Sequence, residues 1–206
     1  MRIGDLKKKA AVGFRVHSGW TSLVAVSLEQ GVPTVLSRQR LQLVETFSFK
    51  FRQPFHTAEK MRFKDASRFI SGVRTAAEHI AYRSLHAVQL DLKKLGYQLD
   101  RVALLLASGK PLPKLEKILR SHALIHTADG ELFREVLRRA STRCGLQITS
   151  TKERGLLEQC SEAFSLRAPE LLRRVTELGW SFGSPWSQDE KFATLAAWLV
   201  FGPVGG

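Results

Sequence analysis

The chain has 206 residues, of which 44% are hydrophobic, and its formal net charge is +13. This length and apolar content exclude wholesale disorder and suffice for one domain over residues 1–206 with a core of its own. The charge favours a polyanionic partner, and nucleic acid is the partner we expect. Two cysteines without a secretory signal indicate reduced thiols in a cytoplasmic protein, and the longest apolar run is too short to span a membrane.

The first third of the chain is predicted to form a three-stranded antiparallel meander. Residues 11–16, 22–28 and 32–44 are rich in Val, Leu and Phe, and turn signals separate them. Gly19 supplies the backbone freedom that the first turn needs. Residues two apart share one face of a strand, so the two arginines of the third strand are expected on the same side of the sheet.

Helices and strands alternate in the remainder of the sequence. Residues 45–56 are predicted to be a loop or arm inserted between the third strand and a long helix over 57–95, whose apolar positions follow the helical period. A continuous apolar run over 101–107 indicates a strand buried on both faces, which we place at the centre of the sheet.

Further elements complete an alternating order. Helices are predicted over 112–121, from 127 or 129 to 143, over 167–178 and over 188–201, and a short strand over 146–149. The resulting order, β-β-β-α-β-α-β-α, predicts an α/β fold in which a mixed five-stranded sheet carries helices on its faces.

Two segments carry a resemblance to a known family: GFRVHSGWTSLVAVSLE near the start and QDEKFATLAAWLVF near the end. They resemble the first hairpin and the last helix of the ribonuclease H-like superfamily, in particular of its Holliday-junction-resolvase-like branch. The element order is also the ribonuclease H-like one. In addition, the chain resembles a group of uncharacterised bacterial proteins that carry HSGW and SHALIH, a resemblance that implies no activity.

The resemblance also implies where catalytic carboxylates should lie. Nucleases of this superfamily hold two divalent metals with carboxylates from the end of strand one, the central strand and the last helix. Here Arg15, Val16 and His17 occupy the first place, residues 101–107 contain no acid, and only Asp189 or Glu190 begins the last helix. We therefore expect the standard two-metal chemistry to be missing, and we predict no cofactor.

Two histidines of the SHALIH motif are four residues apart and would share one face of a helix. Together with Glu131, His122 and His126 could ligate a divalent metal. The residue after the first histidine is Ala123, which excludes a zinc-peptidase motif. The interpretation we favour is that the two imidazoles pack a helix junction, where their N–H groups satisfy backbone carbonyls.

A second candidate site follows the strand over 101–107. Ligands of open α/β sheets gather at the carboxyl ends of strands, where a glycine turn presents backbone N–H groups to an anion. Ser108 and Lys110 flank such a turn, and His17 and Ser18 are expected at the same end of the neighbouring strand. The catalytic candidates are His17, Ser18, Ser108, His122, His126, Glu131 and Asp189, and no nucleophile–base pair among them indicates a particular reaction.

The most basic part of the chain lies between residues 38 and 74, where Lys and Arg outnumber Asp and Glu by nine to three. Its phenylalanines could stack bases, but we favour the alternative that they form the buried face of a strand. The expected nucleic-acid-binding residues are Arg38, Arg40, Lys50, Arg52, Lys60, Arg62, Lys64 and Arg68.

Three functions are consistent with these features. The first is non-catalytic binding of nucleic acid or ribonucleoprotein by a ribonuclease H-like domain that lacks the nuclease carboxylates. The second is a hydrolase or transferase that acts on a phosphorylated or acidic small molecule in a cleft at His17, Ser108 and His122. The third is a protein-interaction scaffold. The first is the function we predict, because it uses the excess of positive charge.

Overall fold

A five-stranded mixed sheet forms the middle layer of the fold. The computed structural model describes residues 8–107 and 111–202. The strands are β1 (Lys8–His17), β2 (Trp20–Glu29), β3 (Val32–Gln42), β4 (Tyr97–Leu106) and β5 (Gln147–Lys152). Their order in the sheet is β3-β2-β1-β4-β5, with β1, β4 and β5 parallel and β2 antiparallel to both of its neighbours. The predicted α/β fold with a mixed five-stranded sheet is thereby confirmed.

Helices cover both faces of this sheet. They are α1 (Phe49–Arg52), α2 (Pro54–Ala58), α3 (Phe63–Lys94), α4 (Leu115–Leu119), α5 (His122–Arg143), α6 (Leu156–Phe164), α7 (Ala168–Leu178) and α8 (Gln188–Leu199). The long helices α3 and α5 share one core with the sheet, while α6, α7 and α8 pack on the opposite face. None of these helices has an apolar stretch long enough to cross a membrane.

The central strand is β1, and the prediction that residues 101–107 occupy the centre is wrong. β1 pairs with β2 on one side and with β4 on the other, so its residues Ala10, Ala11, Val12 and Phe14 are fully buried. β4 is an internal strand between β1 and β5. Its continuous apolar sequence reflects helices on both faces of the sheet, which any internal parallel strand requires.

Contact between α8 and β1 occurs at Gly13, where the helix lies directly against the strand backbone. A Cβ atom at this position would lie 1.8 Å from the carbonyl oxygen of Ala193 and 3.1 Å from the backbone nitrogen of Ala197. A capping box fixes the start of the helix, because Ser187 accepts from the Asp189 backbone N–H and Glu190 accepts from the Ser187 N–H. The close packing and the cap together hold Asp189 at the carboxyl end of β1.

Residues 49–58 are helical where a loop or arm is expected over 45–56. The two short helices α1 and α2 meet at Gln53, and Pro54 opens the second, a position at which proline loses no hydrogen bond. Phe55 is buried in the core, whereas Phe47 and Phe49 are exposed. The phenylalanines therefore do not form one buried face of a strand, because the backbone curls and turns successive rings in different directions.

Other differences concern helix ends and one additional helix. The long helix α3 begins at Phe63 because residues 54–58 already belong to α2, and α5 begins at His122 rather than at 127 or 129. The amphipathic helix α6, between β5 and α7, has no counterpart in the predicted order. At nine residues it contains too few turns for its period to stand out in the sequence.

The exposed glycine of α3 allows a small stability test. Gly72 interrupts the predicted helix, yet α3 continues through it, and a Cβ atom at this position would meet nothing within 4 Å apart from the adjacent backbone of its own helix. Gly72→Ala is expected to raise the free energy of unfolding by about 1 kcal/mol, because alanine restricts the unfolded chain and favours the helix. Urea denaturation of the variant beside the parent protein measures this change, and a loss of stability would contradict it.

Candidate functional site

Four ionisable side chains meet at the edge of the sheet where the parallel strands end. Arg15 and His17 come from the end of β1, and Asp189 comes from the first turn of α8. Glu153 belongs to the 3-10 turn Glu153–Gly155 directly after β5. We call these four residues the ion-pair edge. Carboxyl ends of parallel strands and the start of a helix are the usual position of a ligand site in this fold class.

The guanidinium of Arg15 lies between the two carboxylates of the ion-pair edge. Its Nη2 is 2.6 Å from Glu153 Oε1 and its Nε is 3.2 Å from Oε2, which makes a bidentate pair. Its Nη1 is 2.5 Å from Asp189 Oδ1, and His17 Nε2 is 2.9 Å from the same oxygen. The positive charge between the two carboxylates is therefore supplied by an arginine side chain.

The environment keeps Arg15 charged. Burial lowers the pKa of its guanidinium, but the hydrogen bonds and charge of Glu153, followed by those of Asp189, outweigh burial, so the pKa lies above its usual value. The guanidinium also lies over the ring of Phe192, at 5.1 Å from its centroid. A metal ion that used both carboxylates would have to displace this side chain.

Beside the ion-pair edge, aromatic rings and guanidinium groups stack on one another. The ring of His17 stacks on Trp20 with centroids 4.2 Å apart and planes at 10°. The guanidinium carbon of Arg40 is 3.8 Å from the Trp20 centroid, and that of Arg52 is 4.5 Å from the Phe47 centroid. Arg40 also lies 6.0 Å from the Phe47 centroid and joins the two pairs. We call these five residues the stacked column.

The turn between β1 and β2 makes room for the stacked column. Gly19 has φ +82°, which favours glycine, and a Cβ atom there would lie 2.5 Å from Cγ of Arg52. The Gly19 carbonyl accepts a hydrogen bond from the backbone N–H of Leu43 at 2.9 Å, which fastens the turn to the end of β3. The turn thus sets the positions of Trp20 and Arg52.

The predicted nucleic-acid-binding cations have different surroundings. Arg38 donates to the carbonyl oxygens of Phe182 and Pro185, so it anchors the loop before α8. Arg62 pairs with Asp65 at 3.0 Å on the surface. Lys50 lies 5.4 Å from the centroid of Phe51, whereas Lys60, Lys64 and Arg68 are exposed around the start of α3.

The predicted catalytic candidates fall into separate places. His17 and Asp189 are in contact, and Ser18 lies beside them in the turn between β1 and β2. Glu131 pairs with Arg134 on α5, at 3.0 Å. Ser108 and Lys110 lie outside the residues that the structure describes. His17 has its ring face against Trp20 and its Nε2 against Asp189.

A third histidine joins the two of the SHALIH motif. His122 and His126 lie one turn apart on α5 with their Nε2 atoms 3.0 Å apart, and His56 of α2 packs edge-on against both rings. The three residues form the histidine cluster, in which one ring nitrogen of each lies within 4.8 Å of the others. Among the residues that the structure describes, His122 and His126 pack where α5 meets α2 through contacts with each other and with His56, and not through the expected bonds to backbone carbonyls.

A buried carboxylate lies behind the histidine cluster. Asp129, only 2% exposed, accepts from the backbone N–H of Phe55 at 2.8 Å and is 2.5 Å from His56 Nδ1. Burial raises the pKa of the Asp129 carboxyl above its ordinary value, while the hydrogen bonds from Phe55 and His56 oppose that rise. The carboxyl connects α5 to α2 and holds the His56 ring in place.

Sequence reasoning missed Glu153, His56 and Asp129 as members of these sites. Glu153 carried a usable signal, because it lies four residues after the strand predicted over 146–149, whose carboxyl end should lie at the functional edge. His56 carried none, since it is distant in sequence from SHALIH and reaches α5 only through tertiary packing.

The strand order and the helices on both faces define the ribonuclease H-like fold. Solved structures of the same fold are similar to this chain. RuvC of Thermus thermophilus is matched at TM-score 0.50 and 11% identity over 92% of this chain and 91% of that one. A second structure of T. thermophilus RuvC, in complex with a Holliday junction substrate, is matched at TM-score 0.51 and 11% identity over 92% and 90%. No protein-family model and no curated protein sequence matches the chain.

Proposed function

We propose that this protein binds nucleic acid through the stacked column and the cations beside it, without cutting the strand by two-metal chemistry. The observation that carries the proposal is the stacking of Arg40 and Arg52 on the rings of Trp20 and Phe47. These cations lie next to an edge at which Arg15 already neutralises carboxylate charge. Positive charge interleaved with aromatic rings is the usual composition of a surface that follows a phosphate backbone.

Stacking leaves both arginines able to bind phosphate. A guanidinium packed on a ring uses its flat face, so the N–H donors in its plane that stay exposed can reach phosphate oxygens, although Nε of Arg52 is buried. Lys50, on the same short helix as Arg52, adds a third positive charge. Phe49 is 61% exposed and offers a ring face on which a base can stack.

The ion-pair edge supports binding without metal-dependent cleavage. Two-metal hydrolysis needs several carboxylates that converge on a pair of divalent ions. Here Glu153 and Asp189 both bind the guanidinium of Arg15, and Asp189 also contacts His17. Displacing the guanidinium would leave it buried without its partners, which is costly.

Likeness to a RuvC structure that holds a Holliday junction substrate supports nucleic acid as the polyanion. Branched DNA is therefore a reasonable probe beside single strands, duplexes and RNA. The net charge of +13 supports the same class of partner, because it raises the association rate with any polyanion.

A salt titration tests the proposal. Binding of fluorescently labelled single-stranded, duplex, four-way-junction DNA and RNA is measured by anisotropy at several salt concentrations. We expect the affinity to fall steeply with salt, because each phosphate contact adds about 0.7 to 0.9 to the slope of the logarithmic plot. The double variant Arg40→Gln/Arg52→Gln should lower that slope by about 1.5.

Two lysines at the opposite edge of the sheet provide a matched control. Lys93→Gln/Lys94→Gln removes the same charge at the end of α3, where the strand β4 begins, and should leave the slope nearly unchanged. Circular dichroism confirms that both double variants are folded. The proposal fails if the parent protein binds none of the probes at low salt, or if both variants change the slope equally. Cleavage of a probe with Mg²⁺ that Asp189→Asn abolishes would overturn its non-catalytic part.

A further inference from the structure

The histidine cluster brings together three imidazoles from two helices. α2 packs against α5 near the start of that helix, and this contact places His56 beside His122 and His126. The ring of His56 lies 4.3 Å from that of His126 and 5.4 Å from that of His122, between centroids. Three ring nitrogens that converge in this way are candidate ligands of one metal ion.

Asp129 determines which nitrogen of His56 faces the cluster. One oxygen of its carboxylate accepts from the Phe55 N–H, and the other accepts from His56 Nδ1. A carboxylate can only accept, so this contact assigns the proton to Nδ1 and the lone pair to Nε2 at the other side of the ring. A carboxylate that receives the second N–H of a histidine is the usual partner of a metal-binding imidazole, since it fixes the tautomer and the ring orientation.

The distances within the cluster suit a transition-metal ion. Zinc binds imidazole nitrogen at about 2.0 to 2.1 Å, so two nitrogens of a tetrahedral site lie about 3.3 Å apart. The Nε2 atoms of His122 and His126 are 3.0 Å apart, and one ring nitrogen of each of the three histidines lies within 4.8 Å of the others. Small side-chain rotations would therefore bring all three nitrogens to one ion.

We propose that His56, His122 and His126 bind a divalent transition-metal ion of the zinc class, with Asp129 as the residue that orients His56. Imidazole ligands suit zinc, cobalt, nickel and copper, whereas magnesium and calcium require oxygen ligands. His122 and His126 are exposed, so an ion can enter from solvent and a water molecule can complete the coordination. This site is separate from the ion-pair edge and does not depend on nucleic-acid binding.

Metal titration of the full-length protein tests this site directly. The protein is prepared without a polyhistidine tag and freed of metal by dialysis against a chelator. Co²⁺ is then added and followed by its visible absorption, and Zn²⁺ is measured by competition with a chromogenic chelator. We expect one ion per chain with micromolar or tighter affinity. His56→Asn, His122→Asn and His126→Asn should each weaken binding by more than about 100-fold, because a lost ligand costs more than a lost supporting bond.

Asp129→Asn separates metal binding from packing. The Phe55 N–H requires an oxygen, so the amide NH₂ of the new residue must face His56 Nδ1 and donate to it. The proton of His56 then moves to Nε2, which can no longer bind a metal. The substitution preserves size and shape, yet we expect metal affinity to fall by about 10- to 100-fold.

His86→Asn is the matched control, because His86 lies exposed on α3 beside Tyr82 and outside the cluster. It should leave the affinity and the stoichiometry unchanged. Circular dichroism verifies the fold of every variant. The titration of the parent protein tests the site even if a variant does not fold. Lack of micromolar Co²⁺ or Zn²⁺ binding by the parent, or binding that all three single histidine variants retain, would overturn the proposal.

Discussion

Replacing Arg15 with methionine is expected to lower the free energy of unfolding by about 3 kcal/mol. Methionine preserves most of the apolar stem but removes the guanidinium that lies between Glu153 and Asp189, whose side chains are 33% and 20% exposed. Two partly buried carboxylates would then face each other without a compensating charge. Urea denaturation measures the change as a lower midpoint with an unaltered slope.

Two further variants show whether charge accounts for this loss. Arg139→Met removes an arginine that is 56% exposed and paired with Glu135 on α5, and it should change stability by less than about 0.5 kcal/mol. Adding Glu153→Gln and Asp189→Asn to Arg15→Met should recover part of the loss, because neither amide carries a charge. If Arg15→Met costs no more than Arg139→Met, the ion-pair edge contributes little to the fold.

Gly13→Ala is expected to destabilise the protein by about 3 kcal/mol, at the upper end of the cost of overpacking. The added methyl group would overlap the backbone of Ala193, and backbone of a packed helix cannot rotate away as a side chain can. α8 would have to move away from β1 and carry Asp189 with it. Urea denaturation gives the energy, and near-ultraviolet circular dichroism reports the surroundings of the buried Trp198 on α8.

Gly72→Ala is the natural comparison, because the same methyl group added to exposed space on α3 should stabilise the protein. Opposite signs for one chemical change would show that the close approach at Gly13, rather than glycine itself, determines the loss. Unchanged stability of Gly13→Ala would contradict the direct contact between α8 and β1.

Most of the element order, apart from α1, α2 and α6, was accessible from the sequence because local patterns carry it. An apolar run identifies β2, alternation identifies β3, and the period of α3 extends over many turns. The sheet order is not local: β1 and β4 have equally apolar sequences, and only the pairing of β1 on both sides makes it central. The contact of Gly13 with Ala193 is equally hidden, because the two residues are distant in sequence.

The candidate sites were accessible only in part. Arg15, His17 and Asp189 follow from their positions at the end of a strand and the start of a helix, where ligand sites form. The pairing of His122 with His126 follows from helical spacing. His56 and Asp129 become part of that cluster only when α2 docks on α5, and this docking depends on the curled backbone of residues 49–58, which the sequence pattern did not predict.

The location of Arg15 has a consequence for how the protein responds to its surroundings. A dissociable ion occupies a site in proportion to its free concentration, whereas a side chain is tethered beside its partners and has a high, constant effective concentration. The positive charge between Glu153 and Asp189 is therefore independent of ion supply. A metal enzyme loses the ion between its carboxylates when divalent ions are scarce. In this protein the guanidinium of Arg15 stays between Glu153 and Asp189 under the same conditions.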